Sequence, residues 1–137
     1  MNQNIEDIDL IVIHMSETPP EMDIGVKTIK VWHKKRGFND VGYHFVVRKN
    51  GSVELGRALT TVGAHTKGKN RNSIGICYVG GWNGEDDRTC EQKESITAIL
   101  MYLRVILPNT RLVVKGHNDF SDKTCPNFDA SKEYEWV

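Results

Sequence analysis

Leu10-Ile11-Val12-Ile13 is an unbroken apolar run that ends in His14. A strand apolar at every position, rather than at alternate ones, is buried on both faces and belongs inside a parallel sheet covered by helices. The flanking patterns agree. Val26, Ile29, Trp32 and His33 recur at helical spacing and stop at Gly37. Tyr43 to Lys49 reads as a strand, Asn50-Gly51 as a hairpin turn, and Ser52 to Arg57 as the returning strand. A polar loop spans Gly63 to Asn72, and Ser73 to Val79 is a further strand. Thr89-Cys90-Glu91-Gln92 fits a capping box, followed by the stripe Ile96, Ile99, Leu100, Leu103, Ile106 and Leu107. Arg111 to Lys115 is the last strand, and Asp129 to Trp136 suggests a short final helix. This order predicts a single α/β domain over 1–137, a central mixed sheet flanked by helices.

In open α/β sheets, sites form at the C-terminal ends of strands. His14 and His117 both fall there, more than a hundred positions apart. Close behind His117 comes Lys123-Thr124-Cys125-Pro126. Two imidazoles and one thiolate suit a borderline-soft divalent ion, and three protein ligands with a fourth position open to water mark a catalytic zinc. Lys123, two residues before Cys125, lies beside the metal if that segment is extended. Tyr43 opens its strand and is a phenol that can hydrogen-bond a metal-bound water or help move its proton, and alternation puts His44 on the opposite face in a structural role. His33 reads as a packing residue. His65, in the loop Gly63-Ala64-His65-Thr66-Lys67-Gly68, is a candidate for touching substrate. Cys77 reads as a buried small hydrophobe and Cys90 as incidental to a helix start.

Composition excludes several classes. The chain has 137 residues, with 18 Lys and Arg balanced by 18 Asp and Glu. A dedicated nucleic-acid binder would show a basic excess, so no nucleic acid is expected. The cluster Lys27, Lys30, Lys34, Lys35 and Arg36 reads as a solvated helix face. No apolar run approaches the ~18 residues of a membrane span. The start, Met1-Asn2-Gln3-Asn4-Ile5-Glu6-Asp7, lacks the pattern of a secretory signal, so synthesis in the cytoplasm is expected. Three widely spaced cysteines imply no disulfide framework.

Further stretches carry a resemblance. Ile11-Val12-Ile13-His14-Met15-Ser16, Trp32-His33-Lys34, Asp40-Val41-Gly42-Tyr43-His44-Phe45, Asn50-Gly51-Ser52-Val53-Glu54 and Val62-Gly63-Ala64-His65 come in order. Asn72-Ser73-Ile74-Gly75-Ile76, Lys115-Gly116-His117 and Lys123-Thr124-Cys125-Pro126-Asn127-Phe128-Asp129 follow. Together they resemble the zinc-dependent N-acetylmuramoyl-L-alanine amidases, the group that includes the peptidoglycan recognition proteins, and most of all its small phage members. The resemblance implies Zn2+ held by His14, His117 and Cys125, with Tyr43 and Lys123 as the two catalytic side chains. It implies peptidoglycan or muropeptides as substrate, cut between N-acetylmuramic acid and L-alanine. His65, Thr66 and Lys67 are expected to line the peptide groove, and Asp119 to orient a ligand from behind. The expected setting is a phage or prophage endolysin, monomeric, reaching the wall on release. The resemblance also brings in phage RNA polymerase as a partner. Other readings are a cytoplasmic enzyme recycling muropeptides, a polymerase regulator, and a recognition module without catalysis. Binding-only members of the group typically lack the cysteine that Cys125 supplies here.

Overall fold

A computed structural model describes residues 1–137. Five strands form one mixed sheet: β1 (Leu10–Met15), β2 (Phe45–Val47), β3 (Val53–Leu55), β4 (Ser73–Tyr78) and β5 (Val113–Gly116). Their spatial order is β3-β2-β4-β1-β5. β1 runs parallel to both β4 and β5, β2 runs parallel to β4, and only the hairpin partner β3 is antiparallel. The apolar run at Leu10 is thus flanked by strands on both edges, and Ile11, Val12 and Ile13 are fully buried.

Helices cover both faces. α2 (Cys90–Ile106) begins with the expected capping box, Thr89 accepting from the Gln92 amide and Gln92 from the Thr89 amide. Its stripe Ile96, Ile99, Leu100 and Leu103 packs on Ile11, Ile13, Ile74, Ile76 and Tyr78 in the larger core. Gln92 is fully buried yet satisfied, donating to the Val47 and Val79 carbonyls and so tying the helix to the sheet. α1 (Val26–Lys35) covers the other face, where Ile29 packs with Val41, Val46, Cys77 and Val79. Its N-cap is Gly25, which has no side chain to offer. Glu54 substitutes from β3, accepting from the Val26 amide at 2.8 Å. The helix ends where expected, with Gly37 left-handed at φ 95° just beyond it. A short α3 (Ala130–Glu133) closes the chain against β5.

The hairpin strands are shorter than the sequence pattern suggests. The Arg48 amide bonds to the Ser52 carbonyl and the Gly51 amide to the Arg48 carbonyl, so the turn takes both strand ends. Tyr43 precedes β2 rather than opening it. The Gly42 amide before it donates to His33 Nδ1 at 2.8 Å, which fixes that loop on α1.

Candidate metal centre

β1 and β5 pair in register with Ile13 opposite Gly116. The next residue after each is His14, still on β1, and His117, which opens the 3-10 turn just past β5, so adjacent parallel strands deliver both imidazoles to the same end of the sheet. Their ring centroids are 4.8 Å apart. Cys125 arrives from the following loop. Its sulfur accepts from the Met15 amide at 3.3 Å, one residue beyond His14. The ligand atoms of His14, His117 and Cys125 all lie within 4.8 Å of one another.

The segment carrying Cys125 is not extended, which corrects the sequence reading. The Lys123 amide bonds to the Ser121 hydroxyl and the Asn127 amide to the Thr124 carbonyl, folding residues 121–128 into bends and turns. Lys123 is exposed, but its charge acts on both His117 and Cys125. It therefore stands beside the ligands through a turn rather than through strand alternation. An open depression of about 630 Å³, lined by Asn118, Lys123, Thr124, Asn127 and Phe128 among others, adjoins this segment.

Electrostatics favour neutral donors. Burial holds His14 well below the ordinary imidazole value, and the neighbouring His65, His117 and His33 reinforce this. His117 is also held down, by burial and then by Lys123. Unprotonated imidazoles are ready ligands. Burial pushes the Cys125 thiol up to about 11, so without an ion the group is a thiol and binding must expel its proton. Two neutral imidazoles and a cysteine that binds as its thiolate, converging on one point, fit zinc. His14 Nε2 lies 3.0 Å from His65 Nδ1 and 3.2 Å from Thr66 Oγ1, which leaves Nδ1 as the atom available to an ion.

Tyr43 is half-buried, its ring 5.2 Å from that of His14 and 5.3 Å from that of His33. Burial raises its phenol far above the ordinary value, with Cys77 and Cys125 adding to the rise. At neutral pH Tyr43 is therefore a hydrogen-bond donor and not an anionic base. His44 is structural, as expected: its Nδ1 accepts from the Gly75 amide and its Nε2 donates to the Thr61 carbonyl. Cys77 is fully buried, again as expected, and Cys90 is exposed at the first residue of α2.

Other placements differ from expectation. His65 and Thr66 lie behind His14 and bond to its ring nitrogen, so of the three groove candidates only Lys67 is exposed. Asp119 does not touch a ligand ring. Its carboxylate accepts from the Gly116 amide and the Ser131 hydroxyl, clamping the 3-10 turn at His117 to α3. Sequence reasoning missed the role of His33 in holding the Tyr43 loop. The only local sign was a histidine on the buried side of α1.

Three histidines outside the ligand set titrate in a way that stability can report. Burial lowers His33 to about 4 and His65 to about 3, and it lowers His44 as well. Unfolded histidine binds its proton near ~6.5. Between that value and each folded value the unfolded chain binds more protons, so stability is full above pH ~6.5 and is lost as pH falls. Urea midpoints measured from pH 7.5 to 4.5 should fall continuously. A flat profile would contradict the burial of these rings.

Comparison with known proteins agrees with the geometry. Residues 4–128 match the family model described as N-acetylmuramoyl-L-alanine amidase. The chain is 42% identical over 129 residues to the endolysin of Klebsiella phage KP32, covering 91% of this chain and 84% of the relative. It is 40% identical over 134 residues to the endolysin of Escherichia phage T7, covering 95% and 87%. The solved structure of N-acetylmuramoyl-L-alanine amidase LysC from Clostridium intestinale URNW superposes with TM-score 0.81 at 31% identity, covering 94% of this chain and 83% of that one. With a matching sequence along most of its length, a matching fold and a convergent donor set, the chain belongs to the N-acetylmuramoyl-L-alanine amidase family.

Proposed function

We propose that this amidase is zinc-dependent, with Zn2+ held by His14, His117 and Cys125, and that it acts on peptidoglycan as a phage endolysin. The observation that carries the metal assignment is the convergence of those three donors within 4.8 Å in a family of amide hydrolases. The endolysin role rests on the phage relatives. No helix is long and apolar enough to cross a membrane. An enzyme of this kind is made in the cytoplasm and reaches the wall when released.

The bond cut is the amide between the lactyl group of N-acetylmuramic acid and L-alanine. Zinc, when bound, supplies Lewis acidity that polarises the scissile carbonyl and acidifies a water molecule. The chain's own groups do the rest. Cys125 and the two histidines fix the site between β1, β5 and the 121–128 loop. Tyr43, protonated and pinned by the His33 contact, donates a hydrogen bond that orients the attacking water. Lys123 places a positive charge where the carbonyl oxygen becomes an oxyanion.

Purified peptidoglycan incubated with the protein should release stem peptides with free L-alanine N-termini, read by mass spectrometry. Release should stop with a chelator and resume with zinc. In the same assay Lys123→Ala should keep zinc but lower kcat by about 10²-fold, the lower end of the loss for an oxyanion donor because Lys123 is solvent-exposed. Chelator-insensitive cleavage would remove zinc from the mechanism, and an unchanged kcat would remove Lys123.

A further inference from the structure

His65 is the ring that the proposed chemistry leaves without a task, yet the chain builds a cradle for it. A Cβ on Gly75 would stand 2.7 Å from its Cγ, and one on Gly63 would stand 2.6 Å from its Cδ2. Two glycines thus make room for the ring against β4. Asn70 holds the loop from the other side, its Oδ1 accepting from the amides of both His65 and Thr66 at 2.8 Å.

The hydrogen bonds around His65 have one consistent direction. Ser73 Oγ lies 2.7 Å from the Lys69 carbonyl and 2.9 Å from the Asn70 carbonyl. Both are acceptors only, so the single hydroxyl proton of Ser73 is spent on them. Toward His65 Nε2, at 3.1 Å, Ser73 can then only accept. Nε2 of His65 therefore carries the hydrogen, and in a neutral ring Nδ1 is left with the lone pair. That lone pair faces His14 Nε2 at 3.0 Å and Thr66 Oγ1 at 2.9 Å. His14 Nε2 must donate, either to His65 directly or through the Thr66 hydroxyl at 3.2 Å. Both routes leave His14 with its own lone pair on Nδ1.

We propose that His65, backed by Ser73 and the carbonyls of Lys69 and Asn70, is a positioning residue that fixes the tautomer of His14 so that Nδ1 presents its lone pair to the metal. The role rests on reading His14 as a zinc ligand. A metal-bound imidazole commonly donates its other N–H to an outer acceptor, which sets ring orientation and raises ligand basicity. A neutral histidine serves here where a carboxylate would add a charge under a buried ring. The histidine and serine sit in sequence as His65 and Ser73, one on the polar loop and one at the start of β4.

The tautomer can be read without metal. Long-range 1H–15N correlations of the imidazoles, recorded on the metal-free protein at pH 7.5, should show His14 protonated on Nε2. His65→Phe fills the cradle without a nitrogen. It should mix the two His14 tautomers and weaken zinc binding about 10–100-fold in a chelator competition. His65→Asn, whose carboxamide oxygen can take the place of Nδ1, should restore the Nε2–H tautomer and most of the affinity. Ser73→Ala deletes one hydroxyl, leaves both rings in place and asks the same question should the Phe variant not fold. It should weaken zinc binding several-fold and blur the His65 tautomer. A His14 protonated on Nδ1 in the metal-free protein overturns the positioning role, as does zinc affinity unchanged in the Phe or Ala variant. A wild-type protein that binds no zinc would instead overturn the metal reading beneath it.

Discussion

Cys125→Ser is expected to lose zinc and hydrolysis together while remaining folded. The thiolate is the one soft ligand in the set, and the hydroxyl that replaces it stays protonated and makes a poor zinc ligand at neutral pH. Outer partners of zinc ligands are worth about 10–100-fold in affinity, and removing a ligand itself should exceed that. The fold is less affected. Cys125 is buried at the edge of the larger core, and the Met15 amide that donates to its sulfur retains an oxygen to approach. A stability loss of about 1 kcal/mol is the ordinary size for such a change. Proton counting adds a second readout. With its thiol pushed up to about 11, Cys125 must shed a proton when an ion binds at neutral pH, and calorimetry in buffers of different ionisation enthalpy should find it. The Ser variant should show neither the affinity nor that proton. Wild-type zinc affinity in Cys125→Ser would show that the ligand set is wrong, whatever the activity.

What the chain disclosed in advance is what is written locally. A continuous apolar strand ending in histidine, a hairpin dipeptide and a capping box each draw on neighbours within a few residues, and β1, the hairpin turn and α2 all formed where those signals lay. The donors were legible because His14 and His117 lie at the C-terminal ends of adjacent strands, one just before the end of β1 and one just past β5, a placement that fold class alone implies. Features that stayed hidden join residues far apart. Glu54 caps a helix that begins 28 positions earlier, and nothing near Gly25 announces it. His65 looked like a substrate contact because loops at strand ends usually carry them. Its true neighbour, His14, is 51 positions away, and only the glycines at 63 and 75 hinted at a ring packed between. Lys123 was placed beside the ligands on an extended-strand argument, whereas hydrogen bonds donated by the Lys123 and Asn127 amides to the Ser121 hydroxyl and the Thr124 carbonyl fold that segment into turns.

Arg88→Met should cost about 3 kcal/mol and shift the melting temperature by about 10 °C. The guanidinium is almost wholly buried, its side chain 1% exposed. It makes two bonds to Asp86, at 2.9 Å from Nε and 2.9 Å from Nη2, and two to Glu133, at 2.8 and 3.0 Å. It also donates to the Tyr134 hydroxyl and lies 3.4 Å over the Phe128 ring. One side chain thus joins the loop after β4, α3 and the turn that follows Cys125. Removing one partner of a buried pair costs about 3–5 kcal/mol. The lower end applies because Asp86 and Glu133 are 28% and 42% exposed and can recover water once the arginine is gone. The loss has a functional edge. Phe128 stands three residues after Cys125, and the Pro126 carbonyl between them accepts from the buried Tyr78 hydroxyl at 2.7 Å. With Phe128 freed, the Cys125 loop loses one anchor but keeps the Tyr78 bond, the Met15 amide contact, the Asn118 amide on the Cys125 carbonyl and the Asn127 carboxamide on the Gly81 and Glu85 carbonyls, so zinc affinity should fall only modestly alongside stability in Arg88→Met. A double substitution, Arg88→Met with Glu133→Gln, should recover part of the stability by removing one orphaned charge. An additive double mutant would show that the guanidinium and the carboxylate are energetically independent, and the clamp would then be packing alone.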